Sequence, residues 1–327
     1  HFFAHESCGF CTPCRVGTAL VVKRMDKLAQ GHGSRHRTAD DVERIIRTNV
    51  AQGITKFFIT DDNFARNKAW EEHFDRIIRL RDELGVDLKL TVQVDTLCHK
   101  IPRFIEKAGR AGVEKVFIGL ESINPDALEG SGKTQNKITE YRAMLQAWHA
   151  VNAVTLAGYI LGFPNDTPES ILRDIRIIQR ELPIDVLEFF ILTPLPGSQD
   201  HKDLYLRHAP LDPDMNNYDS THVITPHAVM SDGEWLDIYR RAWDAYYTPE
   251  HVETVMRRAR SWGTRTDKVR WIMLSYASIS GIEEVHPLDG GLIRRKYRRD
   301  RRPGLPLENR LAFYGRFVWD TLRKNAR

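Results

Sequence analysis

The stretch Phe57-Phe58-Ile59-Thr60-Asp61-Asp62-Asn63-Phe64 is an apolar, β-prone run that stops abruptly in acids and amides. Such a run, entered from a helical pattern and followed by another, is what a parallel strand covered on both faces looks like. The unit recurs at Leu88-Lys89-Leu90-Thr91-Val92-Gln93-Val94-Asp95 and at Val113-Glu114-Lys115-Val116-Phe117-Ile118-Gly119-Leu120-Glu121-Ser122. It returns at Thr155-Leu156-Ala157-Gly158-Tyr159-Ile160-Leu161-Gly162-Phe163-Pro164 and at Val186-Leu187-Glu188-Phe189-Phe190-Ile191-Leu192-Thr193-Pro194. Between and before these runs, residues 39–52, 67–84, 101–111, 139–151 and 168–181 repeat apolar positions at helical spacing. Unbroken alternation of strand and helix specifies right-handed crossovers and a parallel sheet, so the fold class is α/β, with a strand count that suits a barrel or part of one. Ligand sites of such folds lie at the carboxyl ends of the strands, where the polar residues cluster here.

No run of about twenty apolar residues is present, and no basic-then-apolar leader, so the chain is expected to be cytoplasmic. Three of the four cysteines fall in Glu6-Ser7-Cys8-Gly9-Phe10-Cys11-Thr12-Pro13-Cys14-Arg15-Val16-Gly17-Thr18. That is a poor disulfide framework and a better metal or cluster signal. Gly9 and Pro13 let the loop wrap an inorganic core, and Arg15 offsets the charge of a thiolate shell. Iron and sulfur fit Cys8, Cys11 and Cys14 best. A structural zinc site needs a fourth ligand, for which His32 and His36 are awkwardly placed.

This cysteine run resembles the four-iron motif of the NADH-binding flavoprotein subunit of respiratory complex I and of related NAD-linked hydrogenases. In that family a fourth cysteine follows downstream, and Cys98 is the remaining candidate here. The resemblance covers residues 1–33.

From residue 34 to about 257 the chain resembles a different family, the radical S-adenosylmethionine enzymes, in the cobalamin-associated branch. Five motifs carry the likeness in order: Ser34-Arg35-His36-Arg37-Thr38-Ala39-Asp40-Asp41-Val42-Glu43, Thr60-Asp61-Asp62-Asn63-Phe64, Ile118-Gly119-Leu120-Glu121-Ser122, Gly158-Tyr159-Ile160-Leu161-Gly162-Phe163-Pro164-Asn165-Asp166-Thr167 and Leu192-Thr193-Pro194-Leu195-Pro196-Gly197-Ser198. The resemblance implies a partial parallel (β/α) barrel with an α-helical C-terminal extension. It implies a 4Fe-4S cluster on Cys8, Cys11 and Cys14, and S-adenosylmethionine chelated to its open iron and cleaved to a 5'-deoxyadenosyl radical for C–H activation or methylation. Asp61, Asp62 and Asn63 would then meet the methionine amino group, and Glu121 and Ser122 the ribose. Gly158, Ile160 and Gly162 would give the adenine a flat backbone edge, with Thr193 at the next strand end. It further implies a reductant such as a flavodoxin or ferredoxin, cobalamin on an upstream domain, and a small-molecule or lipid-like substrate.

The same residues have plainer uses. Asp61 to Asn63 suit a helix cap and turn, Thr167 and Pro168 a helix start, and the turn at Gly162-Phe163-Pro164 an ordinary crossover. The family's cysteine spacing is three residues then two, whereas Cys8, Cys11 and Cys14 are spaced two and two. The strand-end acceptors are therefore expected to hold S-adenosylmethionine even where the cysteine loop is displaced, and residues 33 and 34 mark a junction. The alternative function is an electron-transfer module whose cluster is closed by four ligands, or an inactive fusion.

Residues 34–200 are expected to form the barrel, 201–262 a substrate-side loop and helices, and 263–327 a basic extension. Leu211-Asp212-Pro213-Asp214-Met215-Asn216-Asn217-Tyr218-Asp219 reads as an ordered loop over the barrel mouth. His201, His208, His222 and His227 are spaced too irregularly for a metal and suit solvated or capping roles. Ser231 opens a helix whose Trp235, Tyr239, Trp243, Tyr246 and Tyr247 suit a core-facing stripe. The run Ile293-Arg294-Arg295-Lys296-Tyr297-Arg298-Arg299-Asp300-Arg301-Arg302 accounts for the chain's net charge of +4. With the helix after it, this run suits an anionic membrane surface, nucleic acid or a solvated arm.

Overall fold

The computed structural model of the chain describes residues 37–124, 138–263, 266–283, 286–288, 298 and 306–325. Cys8, Cys11 and Cys14 lie outside the described residues, as does most of the basic run at 294–302. Five strands, β1 (Lys56–Phe58), β2 (Lys89–Asp95), β3 (Val113–Glu121), β4 (Val154–Leu161) and β5 (Val186–Ile191), form one sheet in chain order. Every neighbouring pair is parallel. The helices α1 (Ala39–Val50), α2 (Trp70–Leu84), α3 (Phe104–Ala111), α4 (Ile138–Ala150) and α5 (Pro168–Glu181) alternate with them. This is a parallel half-barrel, and because all strands run one way, their carboxyl ends share one rim.

Local chemistry sets the helix starts. Thr38 caps α1 in a reciprocal box with Asp41, and Thr167 caps α5 with Pro168 in its first turn, which satisfies backbone donors that a helix start leaves free. Gly85 ends α2 in the left-handed conformation that glycine adopts without strain.

The strands are covered less evenly than their apolar content predicts. In β2 and β3, Leu90, Val92, Val94, Val116, Ile118 and Leu120 are buried in the main core, while Lys89, Thr91, Gln93, Asp95, Lys115, Phe117 and Glu121 are half-buried. One face is thus sealed in the core, and the other is a polar, partly open concave face. β1 departs furthest from expectation. It is three residues long with a single neighbour in the sheet among the described residues, and Phe58 on the concave side is 54% exposed.

Beyond β5 come α6 (Gln199–Leu206), α7 (Asp232–Tyr246), α8 (Pro249–Ser261), α9 (Thr266–Glu283) and α10 (Arg310–Asn325). The aromatic stripe of α7 faces the core: Trp235, Trp243 and Tyr246 are buried, and Trp243 meets Phe189 edge-on at 5.1 Å. Just after α7, Tyr247 Oη donates to the Leu187 carbonyl at 2.8 Å.

Buried Asp185 closes the amino ends of β4 and β5, accepting from Thr155 N at 2.8 Å and from Thr155 Oγ1 at 3.1 Å. Asp185→Ala strands both donors and should destabilise the fold by about 1–3 kcal/mol in urea denaturation. An unchanged midpoint would show that the strand ends do not depend on this carboxylate.

Candidate functional site at the carboxyl rim

At the end of β1, Asp61 is engaged in the turn, its carboxylate accepting from Asn63 N at 3.1 Å and from Asn67 Nδ2 at 2.8 Å. Asp62 points into solvent. Asn63 reaches across to β2: its Nδ2 donates to Asp95 Oδ2 at 3.0 Å, and its Oδ1 accepts from Asp95 N at 3.3 Å. Arg66 Nε donates to the same Asp95 oxygen at 2.6 Å, and Leu97 N donates to the other at 2.9 Å. Asp95, outside the motifs, is therefore the hub that laces two strand ends together. Its position as the last polar residue of an alternating run was the available signal.

The end of β3 is irregular in a way that re-aims a side chain. The register with β4 slips between Gly119 and Glu121, and Glu121 has φ 63°, in the left-handed region that a residue with a Cβ rarely occupies. Glu121 lies near Tyr141, whose hydroxyl is pushed well above its ordinary pKa by burial first and by the Glu121 charge second.

Ser122, by contrast, is buried on the helix side. Its Oγ accepts from Asn124 N at 3.1 Å and hydrogen-bonds the Tyr159 hydroxyl, which donates to Asp174 at 3.2 Å. Burial raises Asp174 to a pKa of about 6. The structure therefore brings Asn63, Asp95 and Glu121 to one rim and places Ser122 away from them.

On β4, Gly158 and Ile160 lie in register with Glu188 and Phe190 of β5. A Cβ at Gly158 would stand 2.8 Å from the Phe117 ring and 3.3 Å from the Phe190 ring, so two phenyl groups close over bare backbone on the concave face. Gly162 has φ 105°, and a Cβ there would stand 1.8 Å from the Trp235 indole, which donates to the Leu161 carbonyl at 3.1 Å. A protein side chain thus already occupies the space that the missing side chain leaves.

The turn after β4 is organised by two residues the sequence did not single out for it. Asp166 accepts from Gly162 N and Phe163 N, both at 2.9 Å. His227 accepts at Nδ1 from Val229 N and Met230 N, both at 3.0 Å, which requires the neutral tautomer whose Nε2 donates to the Phe163 carbonyl at 2.8 Å. His222 pairs with Asp219 at 2.9 Å, so these two histidines have capping and pairing roles. Thr193 Oγ1 donates to the Ile191 carbonyl at 3.0 Å. The Ser220 carbonyl, just past the loop at 211–219, accepts from Ile191 N at 2.7 Å and ties that region to the β5 end.

Glu188 is 1% exposed; Tyr276 of α9 donates to its Oε1 at 2.8 Å, while Oε2 has no partner. Burial pushes its pKa from 4.5 up to about 7. The folded chain holds this proton more tightly than the unfolded chain. The stabilisation is therefore complete below pH 4.5 and is lost as pH rises through about 7, about 3 kcal/mol in all. Glu188→Gln should be increasingly favoured over the parent between pH 5 and pH 8 in chemical denaturation, by about 2–3 kcal/mol. A difference that does not change with pH would contradict this assignment.

Cys98 is fully buried, and burial pushes its thiol up to about 12, which disfavours the thiolate a metal needs. Among the described residues no cluster of His, Cys, Asp or Glu could hold a metal ion.

Five parallel strands whose carboxyl ends converge on acids and amides define a partial α/β barrel with a polar mouth. The first 55 residues match the family model of the NADH-ubiquinone oxidoreductase-F iron-sulfur binding region. That range runs past the expected junction at 33/34 and through α1. Over 223 residues, 66% of this chain and 43% of the relative, the chain is 28% identical to the bacteriochlorophyllide d C-12(1)-methyltransferase of Chlorobaculum tepidum. It is 25% identical to the hopanoid C-2 methylase of Rhodopseudomonas palustris over 64% of this chain and 38% of that protein. Among solved structures, the radical S-adenosylmethionine methyltransferase TsrM from Kitasatospora setae, with cobalamin and a 4Fe-4S cluster bound, aligns with a TM-score of 0.47 and 20% identity over 64% of this chain and 42% of TsrM. The chain thus spans less than half the length of the curated relatives it matches.

Proposed function

We propose that the chain is the body of a radical S-adenosylmethionine enzyme that methylates or activates a C–H bond of an apolar small-molecule or lipid-like substrate. The observation that carries this reading is the convergence of the Asn63–Asp95 pair and Glu121 on one rim, above a concave face left partly open. The likeness to two named methyltransferases over about two-thirds of the chain supports it. The residues fit S-adenosylmethionine. Asp62 and Asn63 offer acceptors to an ammonium group, and Glu121 can take two ribose hydroxyls. A 4Fe-4S cluster on Cys8, Cys11 and Cys14 would supply the single electron that makes bound S-adenosylmethionine a radical source. Asp95 positions Asn63, the bulge at Gly119 orients Glu121, and the Asp166–His227 bracket fixes the loop that closes the rim beside β4.

A flavodoxin or ferredoxin as reductant, and cobalamin as a second cofactor held outside these strands, belong to the same proposal. No helix among the described residues is long and apolar enough to cross a membrane. α10 exposes Leu311, Tyr314, Val318 and Leu322 along one face close after the arginine-rich run. We place this extension on an anionic membrane surface, with the body in the cytoplasm.

The match of residues 1–55 to an iron-sulfur binding region favours a second reading, an electron relay whose cluster has no open iron. Anaerobic reconstitution followed by addition of S-adenosylmethionine separates the two. The proposal expects the reduced cluster's electron paramagnetic resonance signal to change, and an unchanged signal would favour the relay.

A further inference from the structure

The concave face carries opposite charge at its two ends. Asp62, Asp95 and Glu121 lie at the carboxyl rim. At the amino end, Lys56, Lys89 and Lys115 come from three adjacent strands, with Lys56 in register with Lys89 and Lys115 in register with Thr91. Lys268 of α9 joins them, paired with Glu114. Burial lowers the Lys268 pKa, and the positive charges of Lys89 and Lys56 lower it further. Lys89 is 3.4 Å from Asp87.

Lys56 is exposed and, like Lys115, has no ion pair or hydrogen bond among the described residues; Lys115 differs from it in burial. Lys115 is half-buried, and burial followed by the Lys56 charge pushes its pKa down. Four ammonium groups thus face two carboxylates, Glu114 and Asp87, and Asp87 is shared with Arg81. Like charges on one face of neighbouring strands repel, lysine is depleted in strands, and a half-buried cation without a partner loses hydration for nothing in return. An anion beside Lys115 reverses each of these terms.

We infer that the amino end of the concave face is an anion-binding site, formed by Lys115 with Lys56, Lys89 and Lys268, that takes the phosphate or carboxylate group of a ligand lying along the strands. Between the two ends the face offers Thr91, Gln93, Phe117 and Phe190. The distance along β3 from Lys115 to Gly119 is about 13 Å at the usual rise per residue. A ligand with an anionic tail and an apolar body would therefore place its far end near the rim. The site rests on the radical-enzyme reading only in that this ligand would be the substrate.

Isothermal titration of the full chain with inorganic pyrophosphate and, separately, with succinate tests the inference. Saturable binding of at least one probe is expected, weakened about tenfold in Lys115→Met, kept within about threefold in Lys115→Arg, and falling as potassium chloride is raised. Stronger binding of pyrophosphate would assign a phosphate group, and stronger binding of succinate a carboxylate. Lys56→Gln, at an exposed position, should show the same direction of loss if Lys115→Met does not fold. No saturable binding of either probe, or equal binding by the parent and the lysine variants, would overturn the site. Binding of S-adenosylmethionine, measured on the same samples, separates the two proposals. Its absence with anion binding intact counts against the radical-enzyme reading alone, and the converse counts against the anion site alone.

Discussion

Gly162→Val should destabilise the chain by about 3–5 kcal/mol, among the largest effects of any single substitution at the rim. Two independent causes add. The backbone at Gly162 has φ 105°, which a β-branched residue adopts only under strain. The new Cβ would also stand 1.8 Å from the Trp235 indole, which cannot retreat without losing its bond to the Leu161 carbonyl. The damage should spread to α7, because Trp235 sits in its first turn. Far-ultraviolet circular dichroism during urea titration reads the loss. A Gly162→Val chain as stable as the parent would show that Trp235 does not depend on the bare backbone. Weakened cofactor binding in this variant would follow from the altered fold and would not by itself report an adenine contact.

Glu121→Gly should move stability and binding in opposite directions. Removing a side chain from the left-handed conformation relieves strain of about 1 kcal/mol, so the variant is expected to be at least as stable as the parent. The same change removes the carboxylate that would hold the ribose hydroxyls. Hydrogen bonds to a charged group contribute about 1.5–3 kcal/mol, so S-adenosylmethionine binding should weaken by about ten- to a hundredfold. Thermal unfolding together with equilibrium binding reads both signs. A variant that loses stability and retains binding would make the bulge at Gly119 a purely structural feature.

The alternation of strand and helix was legible because each element carries its own period and stop signals. Thr38, Thr167 and Pro168 mark helix starts by the same chemistry that caps them in the fold. The convergence of the strand ends followed from parallel order alone. What local pattern does not encode is which face of a strand closes. Lys89, Thr91 and Gln93 recur with period two in β2, yet the strong apolar content of β2 and β3 read as cover on both sides. The roles of Asp95, His227 and Trp235 come from partners distant in sequence: Trp235 donates to the Leu161 carbonyl across 74 positions and His227 brackets Phe163 across 64. Ser122 shows the reverse case, a motif residue whose side chain turns to Tyr159 because the bulge changes the register beside it.

Whether the carboxyl rim of the half-barrel holds S-adenosylmethionine can be measured apart from the cluster. Equilibrium dialysis of S-adenosylmethionine against the intact chain, before any cluster is reconstituted, tests it most directly, because it isolates the rim from the cysteine loop. A rim that holds the cofactor should bind one molecule per chain saturably, about tenfold more weakly in Asp62→Ala, more weakly still in Glu121→Gly, and without change in Glu188→Gln at pH 6. No saturable binding, or binding that neither rim variant alters, would contradict it.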